Sequence, residues 1–170
     1  MPFTTLVVPT PEAEAAVSEA RTRYDVWARR GFPAHVTVAG PFLPVERVDE
    51  PTLARLRELV AAHAATRFSL AQMRFLPGVV LLVPEPRDPF GALRHALERE
   101  WPEIRRIRPL GARLVGPHLT VARTLDPRAV RRLRRVIAPH LPIVVDAREL
   151  HLVTLTAPAE VTAALPFARA

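Results

Sequence analysis

Apolar and polar positions fall into alternating strand-like and helix-like stretches along the chain. FTTLVV, residues 3–8, is a β-rich run. Thr10-Pro11-Glu12 then supplies an N-cap, a proline at the first helical position and an acidic first turn. Ala13, Val17, Ala20, Tyr24 and Trp27 follow at helical spacing, and Gly31 suits the C-terminal cap. Residues 35–42 read as a strand. Leu53, Leu56, Val60 and His63 mark one face of a second helix beginning near Pro51. Residues 68–76 form a strand closed by the turn Pro77-Gly78.

The order then recurs. VVLLVP (79–84) is an apolar strand. Asp88-Pro89 opens a helix carrying Phe90, Leu93, Leu97 and Trp101 on one face. A Pro- and Arg-rich segment, 102–117, leads into a strand over 118–124. Asp126-Pro127 opens a helix with Val130, Leu133 and Ile137 inward. Residues 143–156 read as one long or bent strand, and 161–167 as a final one. The chain thus reads β-α-β-α-β twice. An offset of 77 residues carries Asp49 onto Asp126, Met73 onto Leu150 and Phe75 onto Leu152. This predicts an α+β protein of one bilobal domain over 1–170, with repeat one near 3–76 and repeat two near 79–156.

Composition narrows the class. The chain has 170 residues, is 49% hydrophobic and 24% charged, and fits a soluble globular protein. No apolar run approaches the roughly 20 residues of a membrane helix, and the N-terminus lacks a basic leader region. The expected setting is therefore cytoplasmic, with no membrane partner and a monomeric state. The absence of cysteine excludes disulfides and thiolate chemistry. All 24 basic residues are Arg, in keeping with the coding bias of a GC-rich genome, yet the net charge of +7 still favours anionic partners.

The chemistry lies in a repeated pentapeptide pattern. HVTVA starts at His35 and HLTVA at His118. Side chains alternate along a strand, so His35, Thr37 and Ala39 share one face, as do His118, Thr120 and Ala122. The intervening Val36, Val38, Leu119 and Val121 would anchor each strand to a core. Chance supplies about half a His-x-Ser/Thr in a chain of this composition. Two copies continuing Val-Ala at equivalent points of a repeat point instead to one shared site. Paired imidazoles suit metal-free phosphodiester cleavage. One neutral ring takes a proton from the attacking oxygen and one charged ring gives a proton to the leaving oxygen. Threonine hydroxyls can hold the non-bridging oxygens. Neither ring is singled out as acid or base by the sequence.

HVTVAGPF and PHLTVAR closely resemble the paired His-x-Ser/Thr motifs of the two-histidine phosphoesterases, in particular the bacterial 2′-5′ RNA ligase/RNA 2′,3′-cyclic phosphodiesterase branch. The resemblance spans essentially the whole chain. It implies two pseudo-symmetric lobes with antiparallel sheets around a central cleft. It implies that His35 is the proton donor, His118 the proton acceptor, and Thr37 and Thr120 the phosphate ligands. The implied reaction opens a 2′,3′-cyclic phosphate to a 2′-phosphate, with 2′-5′ ligation as its reverse. The implied partner is RNA ending in a cyclic phosphate, or a small cyclic nucleotide, with no cofactor. The alternatives are a non-catalytic RNA- or nucleotide-binding module and a phosphodiesterase for a different small cyclic nucleotide.

Further binding candidates are weaker. Strict alternation puts Arg123 opposite His118, so it qualifies only if the strand bulges. Phe42 is either a base-stacking wall or core, with core favoured. Arg108 and Arg113 crowd the segment before His118 and could contact an RNA backbone. His63 is expected to pack at a helix end, and His95, His140 and His151 stand outside the catalytic set. No zinc-binding pattern is present.

Overall fold

Turn and cap chemistry fixes where the elements start. In the computed structural model, which describes residues 2–107 and 116–169, Asp49 accepts the Thr52 N–H at 2.9 Å and opens helix α3 (Glu50–Ala61). Asp126 accepts the Arg128 N–H at 2.9 Å and opens α6 (Pro127–Ile137). The expected first helix is interrupted. α1 (Glu14–Tyr24) ends at Asp25, which takes an extended conformation and caps the short α2 (Val26–Arg29) by accepting the Trp27 N–H at 3.2 Å. Two further helices, α4 (Asp88–Glu100) and α5 (Glu103–Ile107), follow the hairpin of residues 66–85.

Among the described residues, eight strands form two antiparallel sheets. The first runs in the order β2 (His35–Ala39), β1 (Thr4–Pro9), β7 (Glu149–Thr154), β8 (Glu160–Pro166). The second runs β5 (Leu119–Ala122), β4 (Val79–Glu85), β3 (Thr66–Leu76), β6 (Ile143–Ala147). Each sheet therefore mixes strands from both sequence repeats. β3, from the first repeat, joins the second sheet, and β7, from the second repeat, joins the first. The pairing order is nonetheless the same in both, with the motif strand at one edge, β2 or β5.

The strand expected over 143–156 is two strands. Ile143, Val145 and Ala147 are buried in β6, but Leu150 and Leu152 are buried in β7. The alternation changes phase at Arg148, and with it the chain passes from one sheet to the other.

One hydrophobic core joins the two sheets. Leu6, Val36 and Leu152 of the first sheet share a cluster with Leu70, Leu82 and Val121 of the second, closed by Leu56 of α3 and Leu97 of α4. Each fully buried Leu or Val contributes roughly 1.5–3 kcal/mol.

Both motif strands carry a bulge at the same place. Leu6 pairs with Ala39 but Val7 with Thr37, so Val38 is left out of the ladder. Val80 pairs with Ala122 but Leu81 with Thr120, so Val121 is left out. The extra residue reverses the alternation beyond it. Ala39 and Ala122, expected beside the histidines and threonines, are instead 1% and 0% exposed on the core side.

Candidate active site

The two motifs meet edge to edge. Thr37 and His118 form an antiparallel bridge, with the Thr37 N–H donating to the His118 carbonyl at 3.0 Å. This register brings His35 across from Thr120. Each imidazole thus lies opposite the other motif's threonine, and all four side chains share one face of a seam between the sheets.

The backbone orients both rings in the same way. His35 Nδ1 lies 2.7 Å from the Pro33 carbonyl, and His118 Nδ1 lies 2.8 Å from the Gly116 carbonyl. A carbonyl only accepts, so each Nδ1 carries the proton, and proton exchange with a substrate falls to Nε2. Gly116, at φ +72°, sits in the left-handed region that glycine tolerates best.

His35 has a shelf that sequence reasoning missed. The Phe32 ring stacks on it at 3.9 Å between centroids and 19° between planes. Phe32 is held in turn by Arg21, whose Nη2 donates to its carbonyl at 3.0 Å. The Glu14 carboxylate accepts the Ala34 N–H, fixing the residue just before the histidine. Burial pushes the His35 imidazole down to about 3; the bond to Pro33 opposes this, while Arg21 and His118 add to it. In these surroundings His35 is therefore neutral at pH 7.

Thr37 is backed by Gly40. A Cβ at Gly40 would lie 2.8 Å from Thr5 Oγ1 and 2.9 Å from Thr37 Cγ2, so the glycine makes room for the threonine. A glycine directly after a His-x-Thr-Val-Ala strand was the available signal.

The bulge condition set for Arg123 is met. With Ala122 on the core side, Arg123 returns to the face of His118 and Thr120. Its side chain is 55% exposed, with Nε 3.9 Å from Asp25 Oδ1. Phe42 does not line the site: it is fully buried, edge-on to Trp101 at 5.2 Å. Arg108 and Arg113 lie outside the described residues. His63 caps its helix, with Nδ1 2.9 Å from the Leu59 carbonyl, and His151 pairs with Glu149 at 2.6 Å.

The 2′-5′ RNA ligase superfamily profile matches residues 9–158, most of the chain. The chain belongs to this superfamily of two-histidine phosphoesterases. Its fold is that of E. coli LigT, whose structure with NADP+ aligns over 98% of each chain at TM-score 0.62 and 14% identity. TT0787 of Thermus thermophilus aligns over 98% of this chain and 97% of its own at TM-score 0.62 and 23% identity. E. coli LigT with 3′-AMP aligns over 97% of this chain and 98% of its own at TM-score 0.56 and 15% identity. No curated protein matches the sequence. No helix among the described residues is long and apolar enough to cross a membrane.

Proposed function

We propose that this superfamily member opens a 2′,3′-cyclic phosphate, at an RNA 3′ end or on a nucleotide, to a 2′-phosphate, without a metal. The observation that supports this best is the seam. Two imidazoles with their Nδ1 atoms held by carbonyls share one face, each across from a threonine hydroxyl. Thr37 and Thr120 hold the non-bridging oxygens, and Arg123 adds positive charge on the same face. One histidine accepts the proton of the attacking water while the other donates to the departing ribose oxygen, each contributing roughly 10²–10⁴-fold. Reverse ligation would use the same groups with a ribose 5′-hydroxyl as attacker.

In this reading His35 is the donor and His118 the acceptor. Donation requires His35 to hold a proton, and an anionic phosphodiester beside it opposes the positive charge of Arg21 and raises its proton affinity. The low proton affinity of His35 in its own surroundings supports a second reading with the roles exchanged.

The test is turnover of an RNA oligomer ending in 2′,3′-cyclic phosphate, and of a cyclic mononucleotide, in the presence of a chelator. Formation of the 2′-phosphate, lost by at least about 10²-fold in both His35→Ala and His118→Ala, is the expected result. RNA binding without turnover, indifferent to both substitutions, would replace the enzyme with a binding module. The two assignments separate with a substrate whose departing 3′ oxygen is replaced by sulfur, a leaving group that needs no proton: turnover should return to the variant lacking the donor and not to the variant lacking the acceptor.

A further inference from the structure

The C-terminal turn of α1 touches both motifs. On one side, Arg21 reaches the Phe32 carbonyl, and Phe32 stacks on His35. On the other, the Tyr24 carbonyl accepts the Arg123 N–H at 3.0 Å, fixing the backbone one residue beyond motif two. Asp25 stands between. It is 2% exposed, yet its carboxylate faces two guanidinium groups: Arg21 Nη2 at 3.4 Å and Arg123 Nε at 3.9 Å. A buried carboxylate is costly unless it is paired and hydrogen-bonded. Asp25 meets that condition with one arginine from beneath His35 and one from the catalytic face.

The two sides of the seam differ at this point. The position equivalent to Arg123 is Gly40, which packs against Thr37 and leaves no side chain. Among the described residues, Asp25 is the acidic group that faces Arg123 and can set its direction. A guanidinium is a planar fork. With its Nε edge toward Asp25, its outer nitrogens are left to form a bidentate pair with a phosphate. We infer that Asp25 is a positioning residue: it orients Arg123 toward the substrate phosphate and ties that orientation to the Arg21–Phe32 shelf under His35. The inference rests on the phosphoester reading and assigns a role within that site.

A double-mutant cycle on kcat/KM for a 2′,3′-cyclic mononucleotide tests it. Asp25→Asn keeps the oxygen that caps Trp27 and removes the charge. It should lower kcat/KM about tenfold in the wild-type background and less than about twofold in Arg123→Ala, because the residue it directs is gone. An equal loss in both backgrounds would mean that Asp25 only supports the fold, and would overturn the inference. Arg123 is exposed, so Arg123→Lys tests the same geometry without burying a change. A single ammonium cannot face the carboxylate and fork a phosphate together, so Lys should behave like Ala. Full activity of Arg123→Lys would overturn the inference independently of how Asp25→Asn folds. A wild-type protein inactive on every cyclic phosphate would instead overturn the phosphoester reading, and this inference with it.

Discussion

At the scale of single residues, His35 ties function to stability. Its folded-state value of about 3 lies below the ordinary 6.5, chiefly because packing around the half-buried ring strips water from it. The unfolded chain therefore binds the proton more readily between these two values, and stability falls as pH drops through that window. Above about pH 6.5 both states are neutral and the effect vanishes. Urea denaturation at pH 7 and pH 4.5 should show wild type losing more stability on acidification than His35→Gln. Equal losses in the two proteins would place the ring in solvent. The residue types at the seam were legible, because imidazole and hydroxyl at i and i+2 on an otherwise apolar strand are conspicuous. The Phe32 shelf was not legible. An aromatic three residues before a histidine carries no periodic signal, and its stacking depends on how the loop after α2 returns to β2.

At the scale of elements, cap residues were readable in part: Thr10, read as an N-cap, makes no capping hydrogen bond, and Asp88 lies just inside its helix. Asp49 and Asp126 each precede a proline-containing first turn, and both helices start where that chemistry dictates. The paired bulges were hidden, because Val-Ala at the end of a strand reads equally well as continued alternation. The strand break at Arg148 was readable in principle: Ile143, Val145 and Ala147 are out of phase with Leu150 and Leu152. The bulge in β2 makes Gly40 a sensitive position. Gly40→Ala would bring its methyl to 2.9 Å from Thr37 Cγ2 and 2.8 Å from Thr5 Oγ1. Relief requires Thr37 or the bulge to shift, at about 1–3 kcal/mol. Activity should fall by about tenfold or more, with a lowered melting temperature. A variant as active and as stable as wild type would show that the strand end has slack.

At the scale of the whole molecule, the repeat was legible as an order of elements, but the sheets it would build were not. β3 of the first half and β7 of the second each lie in the other half's sheet, and nothing in a strand's own sequence states which edge it will join. One core spans both sheets, so the protein should unfold in a single transition, with fluorescence and circular dichroism coincident. A fragment of residues 1–77 should not fold: it has β1 and β2 but lacks β7, and it has β3 without β4. Two resolved transitions, or a folded fragment, would contradict this.

Strand exchange also sets a timetable for synthesis. Thr4 pairs with Thr154, and the inner neighbour of β1 is β7. A ribosome adding roughly 5–20 residues per second needs on the order of ten seconds to make that partner. For that interval β1 and β2, the latter already bearing His35 and Thr37, form at most a two-stranded pair with an open edge. The site comes into being only when nearly the whole chain has emerged, and the nascent first half is the stage at which a chaperone would be of most use.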